Sequence, residues 1–346
     1  MYPTKSQISC LKHTLEICRR VYNDTLALRR DSWENENKVV SLFETNKQLT
    51  QLKQISPELK LVHSQVLQNV QVRVDLAFKS FFRRCKLGEI PGYPRFKQFG
   101  RYDSITYPQA GWKFGNASIT LSKIGKIKTV FHRPLEGTVK TVTVRRTPTQ
   151  KWYVSIVCED IPAHALPISE ECVGIDVGLK TFAMLSNGES IPNPRFYRKE
   201  EKNLAKAQRK GVRKVVARVH ERIANKREDF TQKLSRDLAN RYGTICFEDL
   251  NIRNMLRNHN LAKSISDASW GKLVQYTTYK AEDAGRSVVL VNPRNTSQMC
   301  SCCGQIVSKD ISVRIHDCPH CGYRADRDLN AAINIMRLGL QSLAKA

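Results

Sequence analysis

Four cysteines near the carboxyl end of the chain have the spacing of a metal site. Cys300 and Cys303 form one C-x-x-C pair, Cys318 and Cys321 form a second, and fourteen residues separate the two pairs. A glycine follows each pair, and glycine permits the positive φ that a turn presenting two sulfurs to one ion requires. Four thiolates leave zinc no open position for water, so the spacing predicts a structural zinc ribbon. A redox role is the rival interpretation, which two pairs around one short hairpin disfavour.

The other cysteines show no such pairing. Cys302 lies between two predicted ligands and is expected to point away from the ion, while His316 and His320 are second-choice ligands. The remaining six are Cys10, Cys18, Cys85, Cys158, Cys172 and Cys246. Each stands alone in an apolar or basic segment, which predicts small buried hydrophobes in a reduced compartment.

Three acidic residues lie at the ends of apolar segments, where a sheet can bring side chains together. Asp176 follows CVGI, Glu248 ends GTICF, and Asp328 opens the apolar helix LNAAINIMRLGL. Clustered carboxylates ionise together only when cations neutralise them, so this set predicts Mg²⁺ or Mn²⁺. Two ions about 3.5 to 4 Å apart would activate a water and stabilise the leaving oxygen of a phosphodiester. Each acid also has a structural interpretation, as a turn residue, an exposed strand end and a helix N-cap.

The elements that must position these residues fall into two regions. Residues 5 to 85 carry apolar positions at helical spacing, and a Pro- and Gly-rich stretch near residue 90 ends the pattern. Short alternating stretches from about 101 to 160 predict a small β domain. Near residue 170 an α/β order of strands and helices begins, in which Asn187-Gly188 predicts a type I′ hairpin turn. The basic helical region from about 195 to 241 is either a solvated face or a surface that follows phosphates.

The charge balance indicates a polyanionic partner. Lysine and arginine outnumber aspartate and glutamate by 57 to 32, giving a net charge of +25 that is spread along the chain. Nucleic acid is therefore the favoured partner. The sequence contains no run of 18 apolar residues and no signal-peptide pattern at its start, which predicts a soluble intracellular protein.

In combination the motifs resemble the TnpB (OrfB) family of transposon-encoded RNA-guided nucleases, relatives of compact type V CRISPR effectors. The resemblance is carried by GIDVGLKTFAMLSNGE, FEDLNIRNM, SDASWG, TSQMCSCCG and CPHCGYRADRDLNAAINI, and by YPTKSQ, RRVYND, AFKSFFRR and PGYPRFK nearer the amino end. It implies a multidomain α/β protein with a RuvC-like (RNase H-like) nuclease core, an inserted zinc ribbon, and an N-terminal β-barrel with a helical insertion. The implied domains are a helical recognition lobe that includes the barrel start (1–100), a small wedge-type β-barrel (101–168), the nuclease core (169–295), the zinc ribbon (296–323) and the last catalytic helix of the core (324–346).

The resemblance also implies function residue by residue. Asp176, Glu248 and Asp328 become the catalytic acids and the ligands of magnesium or manganese, with Asp326 as a neighbour. The implied partners are a guide RNA derived from the transposon end and a target double-stranded DNA, cut beside a short adjacent motif. The implied location is the prokaryotic cytoplasm, at the nucleoid and without a membrane.

Six residues are expected to contact nucleic acid. Gln68 and Asn69 carry amides suited to adenine edges or phosphates, and the resemblance places Thr106 and Tyr107 near the duplex motif. Arg83 and Arg84 are expected to follow phosphates without reading sequence.

Two departures and three alternatives accompany this interpretation. Relatives usually have a strand before YPT, which predicts a barrel lacking one strand or a trimmed start, and the basic segment near Lys210 is short for the family. An actin-like ATPase or sugar kinase shares GIDVG but needs further phosphate-binding loops, which are not evident. A DNA-binding protein without cleavage, either a repressor or a transposition accessory, is the main alternative. An autonomous transposase would need a separate acid triad.

Overall fold

The computed structural model describes residues 1–310 and 312–344, so residue 311 of the predicted ribbon and residues 345–346 of the predicted last segment lie outside the described residues. The chain divides into two compact units between Pro162 and Ala163. The helices of the first unit are α1 (Lys5–Glu36), α2 (Leu42–Ile55) and α3 (Ser64–Lys86), with a 3-10 helix at Pro57–Leu61. Its strands are β1 (Ser104–Tyr107), β2 (Trp112–Gly115), β3 (Ser118–Leu121), β4 (Gly125–Lys128), β5 (Thr138–Arg146) and β6 (Trp152–Glu159).

Helix α1 begins where its sequence supplies a capping box. The Thr4 hydroxyl accepts from the Gln7 N–H at 3.3 Å, and the Gln7 side chain accepts from the Thr4 N–H at 3.0 Å. These two bonds satisfy donors that the first turn leaves open. The apolar faces of α1 and α3 then pack on the inner faces of the strands in one hydrophobic core, which includes Leu11, Leu67 and Ile105. Residues on both sides of position 100, from Leu11 to Trp152, therefore belong to one core.

The strands of the first unit form two three-stranded antiparallel sheets. Their orders are β1-β5-β6 and β2-β3-β4. Tyr2 makes an isolated bridge with Lys128 at the end of β4, so the amino end of the chain lies against the second sheet.

The second unit has an α/β layout. Its helices are α4 (Phe196–Arg209), α5 (Arg213–Arg241), α6 (Ile252–Met255), α7 (His259–Ala268), α8 (Trp270–Asp283) and α9 (Arg327–Leu343). Its strands are β7 (Cys172–Val177), β8 (Thr181–Leu185), β9 (Ser190–Pro192), β10 (Thr244–Glu248), β11 (Ser287–Val291), β12 (Ile315–Asp317) and β13 (Arg324–Asp326). A five-stranded sheet has the order β11-β10-β7-β8-β9. Strands β11, β10 and β7 run parallel, whereas β7, β8 and β9 are joined as antiparallel neighbours.

The hairpin between β8 and β9 differs from the predicted turn. The Gly188 N–H donates to the Leu185 carbonyl at 2.9 Å, and Gly188 has a φ of +89°. Asn187 is absent from the described residues with positive φ, although a type I′ turn requires positive φ at both central positions. The chain instead has a three-residue loop, a type I turn closed by a left-handed glycine. The type I′ prediction was wrong because Asn-Gly suits either turn.

Helix α9 lies directly on the sheet at a glycine. A Cβ at Gly174 on β7 would stand 2.1 Å from the Ala332 carbonyl oxygen and 2.5 Å from the Met336 nitrogen. Only glycine lets the helix backbone come this close to the strand. The contact fixes how far the amino end of α9 extends over the edge of the sheet.

Among the described residues, the helices are each too short or too polar to cross a lipid bilayer.

Candidate active site and zinc ribbon

The three predicted acids lie on one face of the five-stranded sheet, beside the carboxyl ends of β7 and β10. Asp176 is two residues beyond Gly174 on β7, so it points to the same face, toward α9. Asp328 is one helical turn before Ala332, which contacts Gly174. Parallel pairing sets Phe247 beside Ile175, so the next residue, Glu248, stands beside Asp176. The crossing of α9 over β7 therefore brings together acids that are far apart in the sequence.

The charges of these acids act on one another. Burial raises the pKa of Asp176 well above its usual range, and the charges of Glu248 and Asp328 raise this pKa further. The Arg327 guanidinium opposes the rise. A carboxyl group whose ionised form is disfavoured by burial and by like charges is typical of a site that binds a cation.

Glu248 is held by a threonine from the segment that leads into the ribbon. Burial raises the pKa of Glu248, and a hydrogen bond from the Thr296 hydroxyl to Glu248 Oε1 lowers it again. Thr296 is itself buried, and its hydroxyl also lies 3.1 Å from the Pro293 carbonyl oxygen. One side of the Glu248 carboxylate is therefore fixed.

Asp328 lies in the first turn of α9, next to an arginine. Asp326 is the N-cap residue, and its carboxylate accepts from the Asp328 and Leu329 N–H groups at 2.8 and 3.2 Å. Asp326 therefore caps the helix, and the Asp328 carboxylate is not used for capping. Arg327 lies 3.2 Å from Asp328 Oδ1, and Arg314 lies 3.9 Å from Asp328 Oδ2. Both cations partly neutralise the acid, so the three carboxylates do not stand alone.

The four predicted zinc ligands form a tighter group than the carboxylates. Among the described residues, they are the set of three or more possible ligands whose donor atoms all lie within 4.8 Å of one another. The sulfurs of Cys300 and Cys321 are 3.7 Å apart, and those of Cys303 and Cys318 are 3.6 Å apart. Sulfurs bound tetrahedrally to zinc at 2.3 Å are separated by about 3.8 Å. The residues therefore fit a zinc ion.

The two knuckles have the same backbone. The Cys300 N–H donates to the Gln305 carbonyl at 2.9 Å, and the Cys318 N–H donates to the Tyr323 carbonyl at 3.0 Å. Gly304 and Gly322 then take φ values of +78° and +71°, as the spacing predicts. Cys302 is exposed and outside the quartet. His316 is buried and contacts Lys309.

Two asparagines on α9 fasten the helix to the ribbon. Asn330 accepts from the Ser301 N–H at 2.9 Å and donates to the Met299 carbonyl at 2.8 Å. Asn334, one turn later, donates to the Thr296 and Met299 carbonyls at 2.9 and 2.6 Å. Both side chains are buried, so each bond replaces one that water would make. The ribbon is also continuous with α9, because strand β13 ends at Asp326 and α9 begins at Arg327.

Comparisons with known proteins give the chain a family. Residues 155–259 match the family model OrfB_IS605, described as "Probable transposase", and residues 270–335 match the model "Cas12f1-like, TNB domain". A Streptomyces pristinaespiralis protein named "Putative RNA-guided DNA endonuclease" is 37% identical over 99% of this chain and 89% of its own length. The chain belongs to the TnpB (OrfB) family.

Further comparisons agree with this family. The Escherichia coli (strain K12) protein named "Putative RNA-guided DNA endonuclease InsQ" is 32% identical over 94% of this chain and 88% of its own length. The "CRISPR-associated endodeoxyribonuclease Cas12f1" of Sulfoacidibacillus thermotolerans is 29% identical over 63% of this chain and 58% of its own length. Residues 1–38 match a family model described as "Helix-turn-helix domain", although in this TnpB-family chain residues 5–36 form one continuous helix.

Four residues around the acids were not predicted from the sequence of this TnpB-family chain: Thr296, Arg327, Asn330 and Asn334. A sequence signal for the asparagines exists, because two amides four residues apart occupy one face of an otherwise apolar helix. Buried amides at that spacing need partners, which the ribbon supplies. Thr296 and Arg327 have no comparable signal, since their roles depend on where the chain folds back.

The six residues predicted to contact nucleic acid have different environments in the first unit. Gln68 and Arg83 are exposed, while Asn69 and Arg84 are half-buried. Thr106 lies 2.8 Å from both Arg73 and Thr143, so its hydroxyl serves an internal network.

Tyr107 lies in the core, which corrects the prediction that it contacts the duplex. It is 1% exposed, and its hydroxyl donates to the Ser122 carbonyl at 3.1 Å. It packs in the core of the first unit, which leaves no part of the ring for a duplex. Strand alternation explains the result, since Ile105 and Tyr107 share the inward face of β1.

Proposed function

We propose that this protein is an RNA-guided DNA endonuclease that cleaves target DNA next to a short adjacent motif. The observation that carries the proposal is the gathering of Asp176, Glu248 and Asp328 at one edge of the sheet, with mutual charge effects that raise the pKa of Asp176. The names of the curated relatives support the same reaction and the same partners. Cleavage is supported over binding alone because all three acids are present.

We infer that the second unit is a RuvC-like (RNase H-like) core. The inference is supported by the strand order β11-β10-β7-β8-β9 and by the direction of its strands. Two of the acids lie near the carboxyl ends of adjacent parallel strands, and the third lies on the helix that crosses them. The site is therefore built from elements that are far apart in the sequence. Such a site depends on the whole fold.

The donor set suits magnesium or manganese. Carboxylate oxygens are the ligands that these hard cations prefer, and a cation would relieve the charge that disfavours ionised Asp176. Asp176, Glu248 and Asp328 would hold the metal. Bound divalent ions would supply an activated water and stabilise the leaving oxygen.

The residues of the chain have separable roles in this proposal. Thr296 fixes one oxygen of Glu248, so the other would be available to a cation. Arg327 partly neutralises the charge of Asp328 and restrains the orientation of its carboxylate. Asn330 and Asn334 fix α9 against the ribbon and thereby position Asp328. The zinc ribbon is structural, because four thiolates occupy all four positions of the ion.

The basic loop between α4 and α5 supports binding of nucleic acid. Five exposed cations occur within nine residues at the end of α4, in the loop and at the start of α5: Lys206, Arg209, Lys210, Arg213 and Lys214. In the part of the chain that the structure describes, the ion pairs on α4 and α5 involve other cations, such as Arg198 and Lys226. Unpaired exposed cations suit a phosphate backbone. We propose a guide RNA from the transposon end and a target duplex as the partners.

Sequencing the RNA that copurifies with the protein tests whether it is guided. A defined RNA ending in a variable segment supports the proposal, whereas random fragments contradict it. The protein loaded with that RNA should then cleave a matched duplex.

Substitution of the acids tests the nuclease. Asp176→Ala and Asp328→Ala should abolish cleavage while guide-directed binding persists. Asp249→Ala is the matched control, because Asp249 is an exposed acid directly after Glu248. Cleavage by Asp176→Ala at the wild-type rate would contradict the assignment, and binding without cleavage by the wild type would favour a repressor.

A further inference from the structure

A cavity of about 510 Å³ lies beyond the carboxyl end of β7, beside the first turn of α4. Its wall comes from the turn between β7 and β8, the segment between β9 and α4, the first turn of α4, and α7. The Asn193 side chain donates to the Leu179 carbonyl at 2.9 Å, which joins the turn to the segment before α4. The Tyr197 N–H donates to the two oxygens of Asp267 at 3.0 and 2.9 Å, which joins α4 to α7. Hydrogen bonds therefore hold the parts of this wall together.

Four cations line the cavity, and they have few acids to neutralise them. Arg198 and Lys263 lie 3.2 and 2.7 Å from Glu201, so these two cations share one carboxylate. Lys180, in the turn, and Arg195, just before α4, are exposed. In the described part of the chain, neither of these two takes part in an ion pair. The charges of Lys180 and Arg195 are therefore available to a ligand.

The acid in the wall does not neutralise these cations. Asp267 is buried, and besides the Tyr197 N–H it contacts Arg227 at 2.8 Å. Arg227 does not line the cavity, so the charge of Asp267 is compensated from outside it. The cavity keeps an excess of positive charge, and its chemistry suits a phosphate group.

The cavity lies at the same end of the sheet as the candidate active site. Strand β7 carries Asp176 and ends at the next residue, and Lys180 follows Asp176 by four residues. Four residues of extended chain span at most about 14 Å, which limits the distance between these two Cα atoms. Successive phosphates of one strand advance about 3.4 Å along a duplex. A strand cut at Asp176 can therefore place another phosphate, up to about four nucleotides away, in this cavity.

We propose that the cavity binds a backbone phosphate of the DNA strand being cut, through Lys180 and Arg195. This inference rests on the proposed function, because it requires a DNA strand at Asp176. A guanidinium presents paired N–H donors that match two phosphate oxygens, and the lysine ammonium adds a compact positive charge. Phosphate contacts carry no sequence information, so the cavity sets the register of the strand at the metal site and does not read bases.

The test is single-turnover cleavage by the full-length protein loaded with the guide RNA that copurifies with it. On the cut strand, one phosphate at a time, other than the one that is cut, is replaced by an uncharged methylphosphonate. In the wild type, one such replacement within about four nucleotides of the cut should slow cleavage by about tenfold, because a charge-assisted contact is lost.

Variants of the two cations identify the cavity as the partner of that phosphate. Lys180→Ala and Arg195→Ala should each slow cleavage of the unmodified duplex by about tenfold. The methylphosphonate should then slow these variants by less than about threefold more, because the two changes remove the same interaction. Lys180→Arg keeps the charge and should stay within about threefold of the wild type. Guide-directed binding should be unchanged in every variant.

Lys199→Ala is the matched control. Lys199 is an exposed cation in the first turn of α4, but it lines a different cavity, together with Phe230 and Leu234. The variant loses the same charge from the same helix turn. Its cleavage of the unmodified duplex should match that of the wild type, and the methylphosphonate should still slow it by about tenfold.

The outcomes separate this inference from the proposed function. Wild-type cleavage that no single methylphosphonate slows would overturn the inference alone. A full tenfold methylphosphonate effect in both Lys180→Ala and Arg195→Ala would do the same. Weaker binding of the guide RNA by these variants would assign the cavity to the guide and would also overturn it. Absence of guided cleavage by the wild type would overturn the proposed function, and this inference with it.

Discussion

Asn334 donates from Nδ2 to the carbonyl oxygen of Thr296 at 2.9 Å, and the hydroxyl of that threonine donates to Glu248. The two bonds connect the last helix, the segment before the ribbon and the acid on β10. The same helix carries Asp328 in its first turn. The ribbon and helix α9 therefore form one unit that positions two of the three acids, Glu248 and Asp328.

Replacing Asn334 with Ala should loosen this unit. The substitution leaves the buried Thr296 carbonyl without its donor, at roughly 1–3 kcal/mol. It also removes one of the two bonds to the Met299 carbonyl, which keeps its bond from Asn330. We expect a lower unfolding temperature and at least about tenfold slower cleavage, with zinc still bound. Thermal unfolding, metal analysis and single-turnover cleavage are the measurements. Asn260→Ala, an exposed amide on α7, is the control. Wild-type cleavage by Asn334→Ala would show that the helix is positioned without this contact.

Zinc should be present at one ion per chain and should depend on Cys318. Cys318→Ser removes a ligand whose sulfur lies 3.6 Å from that of Cys303. We expect zinc affinity to fall by more than the roughly 100-fold that loss of an outer-shell partner causes. Cleavage should fall with it, because the ribbon leads directly into α9. Metal analysis after dialysis against a chelator measures the loss. Cys302→Ser should retain the ion, and its loss there would contradict the ligand assignment.

The sequence could predict local features and the acids, but not the contacts that join them. The two knuckles were predictable because both ligands of each pair lie within four residues and glycine marks the turn. The Thr296 contact was not, because it depends on the return of the chain to Glu248 after 48 residues. Tyr107 shows the converse, since the family resemblance suggested a residue near the duplex while strand alternation turns the ring inward. The strand pattern carried the correct information there.

The contacts of Arg73 show another limit of sequence reasoning. Asn69 and Arg73 are four residues apart on one helix, so their contact is a local expectation. The sequence does not show that Arg73 also reaches Ser104 and Thr106 on β1, which is what removes its freedom to turn.

Asp176→Asn should make the protein more stable while stopping cleavage. Burial, together with the charges of Glu248 and Asp328, raises the pKa of Asp176 in the folded protein above its unfolded value. The folded chain thus holds this proton more tightly, and ionisation of Asp176 lowers stability as pH rises through the folded pKa. Removing the charge should raise the unfolding temperature by roughly 2–4 °C at pH 8, the shift that 1 kcal/mol produces in a domain of 150–250 residues. Cleavage should fall by roughly 10³-fold or more.

The same comparison of the wild type with Asp176→Asn at low pH provides the control. Below the unfolded pKa, Asp176 is protonated in both states, so the wild type and Asp176→Asn should unfold at the same temperature there. Metal-free protein is used at both pH values, because bound cations would remove the repulsion. A variant that is equally stable or less stable than the wild type at pH 8 would contradict the charge effect at this edge of the sheet.

Cleavage should require more magnesium as pH falls, and Thr296 should set part of that dependence. Protonated Asp176 and Glu248 cannot bind a divalent cation, and the pKa values of both are raised. The Thr296 hydroxyl lowers the pKa of Glu248, so Thr296→Val should raise this pKa and move the rising limb of the rate profile to higher pH. Thr296→Ser keeps the hydroxyl and should retain the wild-type profile. Single-turnover rates from pH 5.5 to 8.5 at limiting magnesium measure the shift. Coincident profiles for Thr296→Val and Thr296→Ser would show that the hydroxyl does not tune Glu248.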